Sequence, residues 1–157
     1  MPKPARQYWL MKSEPDEFSI DDLARVGSEP WSGVRNYQAR NFMWKQMRVG
    51  DGVFFYHSNA DVPGIYGLAT VASTPYPDPT QFDATSDYFD AKSTREDPRW
   101  WLVDVGFERK LSRPISLDEL RGHAEALDDF ALLRRGNRLS VLPVTAAQWK
   151  HILTLEK

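Results

Sequence analysis

The sequence predicts an α+β protein with a mainly antiparallel sheet or a small β-barrel. Several short segments are rich in aromatic and β-branched residues, which is typical of strands. In a strand, successive side chains of such a segment point to opposite faces of the sheet. Short helical patterns with capping residues lie between them, and no regular strand–helix–strand repeat is present. Because 157 residues is the size of one ordinary domain, we expect a single domain over residues 1–157.

The first elements expected along the chain are a strand and a short helix. Tyr8–Ser13 (YWLMKS) contains aromatic and apolar residues without a strand breaker. Ser19 and Asp22 have the spacing of an approximate capping box, which favours a helix that starts after Ser19. Gly27 is suited to end this helix because glycine readily adopts the left-handed conformation of a C-terminal cap.

The next segment predicts a helix followed by a hairpin. Asn36 is the expected N-cap of a helix over Tyr37–Met47, which carries an apolar stripe at helical spacing. Val53–Asn59 and Ile65–Thr74 are expected to pair as two strands joined by a longer loop. Gly67 inside the second strand indicates a bulge or a close approach of another group.

The second half of the chain continues with a Pro-rich loop and a long strand. The long strand has the strongest alternation of apolar and polar residues in the sequence. In a later strand, Pro143 indicates either the end of that strand or a position at the edge of the sheet. The predicted elements are the loop Thr74–Asp83, the strand Arg99–Leu111, a helix with the capping pair Ser116 and Glu119, a helical turn ended by Gly136, the strand Arg138–Val144, and a helix after the capping pair Thr145 and Gln148 that runs to Lys157.

The net charge of −2 conceals two basic segments that contain no acidic residue. Trp31–Gly50 and Ala131–Leu155 are free of Asp and Glu, whereas Tyr76–Asp129 carries compensating carboxylates. If the fold brings the basic segments together, they form a positive face suited to a polyanion such as nucleic acid. The alternative is two separate solvated helix faces, and the charges alone favour that alternative.

Composition excludes several classes of protein. The chain has no Cys, so disulfides, thiolate nucleophiles and Cys-based zinc sites are impossible. Residues 1–12 lack the apolar region of a signal peptide, and no apolar run approaches the length of a membrane span. We therefore expect a soluble protein of the bacterial cytoplasm, or of the nucleus in a eukaryote, with no membrane partner.

No catalytic, metal or cofactor motif is recognisable. His57, His123 and His151 are the only histidines, and none has metal-ligand spacing to another ligand. The nucleophile-elbow motif, the dinucleotide-binding glycine motif and the P-loop are all absent. We therefore predict no catalytic residue, no metal and no cofactor.

The stretch Pro30–Asn41 (PWSGVRNYQARN) has the residue types of a base-binding wall. A Trp outside any strand or helix stripe can stack on a nucleobase, and Asn36 can hydrogen-bond a base edge. Arg35 and Arg40 can hold phosphates. The alternative is that Trp31 plugs the end of a barrel and Asn36 serves only as a helix cap.

Six motifs occur in a fixed order over nearly the whole chain: YWLMKSEPDEFSIDDL, WSGVRNYQARNFM, MRVGDGVFFYHSN, PGIYGLATV, WWLVDV and RLSVLPV. In these motifs and in their order the chain resembles EVE-domain proteins. That family belongs to the PUA-like superfamily, small β-barrels flanked by helices, and is related to the YTH domains, which read N6-methyladenosine in RNA through an aromatic cage. The resemblance implies one EVE domain over residues 1–157 with a PUA-like fold.

The resemblance also implies a non-catalytic reader of a modified nucleobase in DNA or RNA. The sequence does not determine the oligomeric state, and we assume a monomer. The base, a methylated or hydroxymethylated cytosine or a methylated adenine, would be flipped into a preformed pocket. Trp31 corresponds to one wall of the YTH cage, and Ile65–Thr74 contains no counterpart to the second cage Trp. The implied pocket residues are Lys12, Ser13, Trp31, Val34, Asn36, Tyr56, His57 and Ser58, and the implied phosphate or backbone contacts are Arg35, Arg40, Asn41, Arg134, Arg138 and Ser140.

Two other functions remain as alternatives. One is an enzyme that acts on a modified nucleobase or nucleotide, with His57 as general base. The other is a protein-interaction module whose aromatic groove holds a peptide.

Overall fold

The computed structural model of the chain describes residues 6–156. Residues 1–5, which belong to the segment where no signal peptide is expected, and Lys157 of the last predicted helix lie outside this range. The strands are β1 (Tyr8–Ser13), β2 (Ser28–Pro30), β3 (Gly52–His57), β4 (Gly64–Val71), β5 (Tyr76–Pro77), β6 (Trp101–Leu102), β7 (Asp104–Ser116) and β8 (Val141–Val144). The α-helices are α1 (Ile20–Val26), α2 (Tyr37–Asn41), α3 (Leu117–Gly122) and α4 (Ala146–Thr154), with a π-helical turn at Phe42–Gln46 and 3₁₀ turns at Pro79–Phe82 and Ala131–Leu133.

Six of the strands form one curled sheet in the order β2-β7-β4-β3-β1-β8, and β5 pairs with β6. The β1–β3 pair is parallel, and the other pairs of the large sheet are antiparallel. The predicted α+β class with a mainly antiparallel sheet is therefore confirmed. The barrel is an open one, since β2 and β8 are its two edges among the residues described.

Local signals predicted several elements correctly. β1 has the predicted bounds, and the Ser19–Asp22 capping box is formed in both directions. The Thr145–Gln148 box is likewise complete at the start of α4. The Asn36 side chain accepts a hydrogen bond from the Ala39 N–H, and so caps α2 as expected. Pro143 lies in the edge strand β8, where its missing N–H costs no hydrogen bond of the ladder.

Other elements differ from the sequence prediction. The predicted helix Tyr37–Met47 changes from α-helical to π-helical at Phe42, and the predicted strand Arg99–Leu111 is interrupted at Val103. The capping pair at α3 is only half formed, because the Glu119 carboxylate binds Arg113 instead of reaching back to Ser116. The strand predicted over Arg138–Val144 begins at Val141.

The sheet separates two hydrophobic clusters. Val53 and Phe55 face a cluster that includes Trp31, whereas Phe54 and Tyr56 face a cluster that includes Trp149. This follows from the period-two alternation of strand side chains. Each face of β3 is fully covered, which is why all six of its residues are buried.

Gly67 is required by close packing. A Cβ placed on Gly67 would lie 2.5 Å from the Ile20 side chain, and the β4–β7 register shifts between Ile65 and Gly67. The bulge and the close approach that the sequence suggested as alternatives are thus both present. The absent side chain allows α1 to pack directly against β4.

The Glu156 carboxylate is one of the groups that fix the C-terminal end of the described chain to β7. Glu156 accepts hydrogen bonds at 2.7 Å from Arg109 Nη1, Arg109 Nη2 and the Ser112 N–H. These bonds, with Arg109 the largest cause, lower the pKa of Glu156 to about 2. The bidentate geometry stabilises the ionised form more than a single contact would.

We predict that Glu156→Gln lowers the free energy of unfolding by about 1–2 kcal/mol at pH 7. The loss is smaller than the whole pKa shift implies, because the Arg109 side chain is 46% exposed and its charge is screened. Since the folded pKa is depressed from 4.5, the stabilisation is present above pH 4.5 and is lost as the pH falls toward 2. Denaturant unfolding at several pH values measures this.

The matched control is Glu125→Gln, which removes an exposed carboxylate that has no ion pair among residues 6–156. The difference between Glu156→Gln and wild type should shrink toward zero near pH 2. A difference that is the same at pH 7 and pH 2.5 would contradict the prediction.

Candidate functional site

A cavity of about 650 Å³ opens at the end of β1, against the loop 31–36. Its volume is in the range of small-molecule binding sites. Nine of the residues implied by the family resemblance line it: Lys12, Ser13, Trp31, Val34, Arg35, Asn36, Ser58, Arg138 and Ser140. Segments that are distant in sequence therefore meet here, and both basic segments contribute to the lining.

Trp31 is both a core residue and a wall of the cavity. Its backbone N–H donates to the Val103 carbonyl at 3.0 Å, and its ring meets Phe55 edge-on at 5.5 Å. The side chain is 7% exposed and belongs to the cluster on that face of the sheet. The platform and plug interpretations of Trp31 are thus compatible, because one buried ring can close the core and present a surface to the cavity.

The buried carboxylate of Asp78 holds the cavity loop in place. Asp78 Oδ2 accepts from the Gly33 N–H at 2.8 Å and from Arg35 Nη1 at 3.2 Å, while Oδ1 binds the Thr80 N–H and hydroxyl. Gly33 has a φ of +84°, a conformation that favours glycine. A turn residue and a charged side chain of the loop are therefore fixed by one acceptor from a different segment.

Arg35 is a structural residue of the loop. Its five N–H groups donate to the Tyr88 carbonyl twice and to the Val34 carbonyl, Asp78 and Thr80 once each. A guanidinium has five N–H donors in all, so none is left for a phosphate. The expected phosphate contact through Arg35 is therefore replaced by a contact between the loop and segment 78–88.

Polar groups at the base of the cavity have capacity for a ligand. Asn36 uses Oδ1 for its cap, and its NH₂ group has no hydrogen-bond partner among residues 6–156. The Ser13 hydroxyl donates to the Phe18 carbonyl at 2.6 Å, which leaves its oxygen free to accept. One donor and one acceptor are thus presented beside the Trp31 wall.

Tyr56 and His57 do not line the cavity, in contrast to the expectation. Tyr56 is buried in the opposite cluster, and burial raises its pKa. His57 Nε2 accepts the Ile20 N–H at 3.1 Å, and its ring stacks on Tyr66 at 3.9 Å. Burial lowers the pKa of His57, in line with a neutral ring whose Nε2 lone pair is already used. This imidazole fixes the start of α1 and is not positioned as a general base.

Three predicted backbone contacts also lie outside the cavity. Arg134 pairs with Asp129 on the surface, and Asn41 accepts two hydrogen bonds from Arg40. Arg40 itself donates to the Arg99 carbonyl at 2.8 Å, is half-buried and does not line the cavity. The phosphate contacts predicted for these residues would therefore have to form away from the cavity mouth.

Several cavity residues were missed from the sequence. Tyr88 forms part of the rim, and Phe18, Glu14, Glu17 and Glu29 also line the cavity. The glutamates and Phe18 are close in sequence to predicted motifs, so proximity was an available signal. Tyr88 is in an irregular acidic segment with no motif, and nothing local indicates that it reaches the loop.

Two further kinds of site are absent from the described part of the chain, a metal-ligand cluster and a membrane-spanning helix. No group of three or more His, Asp or Glu residues suited to a metal ion occurs within residues 6–156. In the same range, none of the helices combines the length and apolar character needed to cross a membrane.

The sequence matches the model of the EVE domain over residues 7–155. The chain belongs to the EVE-domain family. Thymocyte nuclear protein 1 of Danio rerio is 45% identical over 98% of this chain and 74% of its own length. The human thymocyte nuclear protein 1 is 40% identical over 96% of this chain and 74% of its own length.

Solved structures of EVE relatives have the same fold. A protein of Pseudomonas putida superposes with a TM-score of 0.92 at 50% identity, covering 96% of this chain and 99% of that chain. Human THYN1 in complex with 5-methylcytosine-containing DNA superposes with a TM-score of 0.90 at 40% identity, covering 96% and 98%. The PUA-like fold implied by the resemblance is thus confirmed.

We predict that Asp78→Ala lowers the free energy of unfolding by about 2–4 kcal/mol, because it leaves the Gly33 N–H and the Arg35 guanidinium without their buried acceptor. The control is Asp87→Ala, an exposed carboxylate of the same segment. Denaturant unfolding compares the two variants. Equal stability of both variants would contradict a structural role for Asp78.

Proposed function

We propose that this protein reads a modified nucleobase of nucleic acid and binds it in the cavity beside Trp31. One observation carries the proposal: an aromatic wall and unpaired polar groups meet in one cavity of this fold. Human THYN1, which has the same fold, is found in complex with 5-methylcytosine-containing DNA. Methylated cytosine in DNA is therefore the leading ligand. Hydroxymethylcytosine, methylated adenine and RNA are further members of the proposed ligand class.

Capture of the base requires it to leave its stack. Flipping costs a few kcal/mol and costs less where the base is already unpaired. Stacking on an aromatic side chain returns about 1–3 kcal/mol per base. Trp31 supplies that face, and its own position is fixed by Phe55 and by the hydrogen bond to Val103, so little ordering is needed on binding.

The polar groups favour a base with both a donor and acceptors on its edge. The Asn36 NH₂ group can donate to a ring nitrogen or carbonyl, and the carboxylate of Glu29 can accept from an exocyclic amino group. Cytosine and adenine carry that amino group, whereas thymine and uracil present a carbonyl that a carboxylate repels. We therefore infer a preference for amino-bearing bases.

Lys12 and Arg138 supply positive charge at the cavity for the phosphates that flank the base. Burial lowers the pKa of Lys12, which means that its ammonium group is poorly solvated in the free protein. A phosphate near this group would therefore be stabilising. The neighbouring Ser58 and Ser140 can donate hydrogen bonds to the same backbone.

We take the reader to be non-catalytic, because the one histidine considered as a general base is buried behind α1 and uses its Nε2 as an acceptor. The compartment that suits this role is the bacterial cytoplasm or the eukaryotic nucleus. A monomer with one pocket is sufficient for it. The peptide-groove alternative has less support, because human THYN1, which has the same fold, is found with DNA.

We expect tighter binding of single-stranded oligonucleotides that carry 5-methylcytosine than of the unmodified strands. A panel in DNA and RNA would contain 5-methylcytosine, 5-hydroxymethylcytosine, N6-methyladenine, thymine and cytosine at the central position. Because one methyl group contributes about 1–3 kcal/mol at most, the preference should be about 10- to 100-fold. Fluorescence anisotropy at fixed salt measures it, and equal affinity across the panel would refute the proposal.

We predict that Trp31→Leu removes the preference for the modified base, whereas Trp31→Phe retains part of it because a stacking face remains. Since Trp31 is 7% exposed, both variants should also lower the melting temperature. The matched control is Trp149→Leu, which changes a Trp that is 5% exposed on the opposite face of the sheet. That variant should lose stability and keep the preference. Loss of preference in both Leu variants would mean that Trp31 acts only through stability.

A further inference from the structure

A row of rings and cations adjoins the cavity, and we call it the aromatic ridge. It consists of Tyr37, Arg40, Trp44, Lys45, Trp100 and Trp101; Tyr37 is exposed, Trp44 and Trp101 are half-buried and Trp100 is buried. Tyr37 stacks on Trp100 with ring centroids 4.9 Å apart at 12°, and Trp44 stacks on Trp101 at 4.8 Å and 7°. The Arg40 guanidinium joins the two stacks, since it lies 4.6 Å from the Tyr37 ring and 5.3 Å from the Trp44 ring.

The ridge is continuous with the cavity. Arg35, which lines the cavity, lies 5.1 Å from the Trp100 ring, and Asn36 immediately precedes Tyr37. The π-helical turn after α2 carries Trp44 and so extends the ridge away from the cavity mouth. A chain that enters the cavity can therefore continue along this surface without crossing a gap.

One face of Tyr37 is open to solvent. The guanidinium carbon of Arg40 lies 4.6 Å from the centroid of the Tyr37 ring and 6.0 Å from that of the Trp100 ring. Because it is this close to Trp100, Arg40 does not cover the face of Tyr37 that points away from Trp100. Tyr37 is accordingly 52% exposed, whereas Trp100 beneath it is 7% exposed. Packing of segment 78–100 against α2 explains the burial of Trp100 but gives no reason for a stacked ring with a free outer face.

The cations of the ridge and the neighbouring Arg48 have no carboxylate partner in the described part of the chain. Arg40, Lys45 and Arg48 form no ion pair within residues 6–156, and residues 31–50 contain no acid. Lys45 lies 5.0 Å from the Trp44 ring. Three of the five Arg40 donors are used inside the protein, which leaves two for a ligand. An apolar peptide or a second copy of this surface would leave these cations unpaired or repelled, whereas a phosphate backbone pairs with them.

Because an exposed ring beside unpaired cations fits unstacked nucleotides, we propose that the aromatic ridge holds the strand that flanks the captured base. The neighbouring base stacks on the outer face of Tyr37, and its phosphates lie against Arg40 and Lys45. The ridge contributes affinity for any sequence, while the cavity contributes the preference for the modification. This inference rests on the proposed function, but it concerns a separate surface and a separate measurable quantity.

The test uses the full chain with a labelled single-stranded 9-mer and a trinucleotide, each with central 5-methylcytosine or cytosine. Tyr37→Ala should weaken binding of both 9-mers by about 5- to 100-fold and leave their ratio unchanged. Tyr37→Phe keeps the ring and should remain within about twofold of wild type. Lys45→Gln should weaken both 9-mers alike and reduce the salt slope by about one, whereas Lys150→Gln on α4 should change neither.

Equal 9-mer affinity of Tyr37→Ala, Lys45→Gln and wild type, with the preference for 5-methylcytosine intact, would overturn the ridge inference and leave the reader function standing. A wild-type protein with no preference would refute the reader function. If that protein still loses 9-mer affinity on Tyr37→Ala, the ridge binds nucleic acid independently. A larger effect on the trinucleotide than on the 9-mer would also contradict a role in holding flanking nucleotides.

Discussion

The candidate site depends on one buried carboxylate. Asp78 is 1% exposed and satisfies a backbone N–H of the cavity loop, a guanidinium of the same loop and two groups of its own turn. A buried charge is tolerated only when it is fully hydrogen-bonded. The loop that carries Trp31 is therefore held by electrostatics from outside its own segment, and it can remain ordered although its four residues from Ser32 to Arg35 form no helix or strand.

Local signals predicted what local interactions determine. β1, the Ser19 and Thr145 capping boxes and the Asn36 cap follow from residues within four positions of each other. β2 could not be found this way, because its three residues are defined by pairing with β7, whose sequence separation exceeds seventy residues. The parallel β1–β3 pair and the π-helical turn likewise depend on packing between distant segments.

The same distinction applies to the site. Trp31, Asn36 and Ser13 were identifiable because the residue types and the order of the family motifs point to them. The role of Arg35 was not, because its acceptors Asp78 and Tyr88 are 43 and 53 residues away. Arginine at a surface loop predicts a phosphate contact by default, and only the structure reveals that every donor is already used. Arg40, five residues later, keeps two donors, so of these two arginines only Arg40 can still donate to a phosphate.

The contact between Tyr88 and the loop has an evolutionary consequence. Arg35 binds the backbone carbonyl of Tyr88, whereas the Tyr88 ring covers Gly33 so closely that a Cβ there would lie 2.8 Å from ring carbons. The two hydrogen bonds of this anchor thus do not depend on which side chain occupies position 88, whereas the contact of Arg35 with the Tyr88 ring at 5.6 Å and the shape of the cavity rim do. A substitution at position 88 can therefore change which ligand the rim admits, while the hydrogen bonds from Arg35 to the backbone of position 88 are retained. Gly33 cannot be varied in the same way, because its φ is positive.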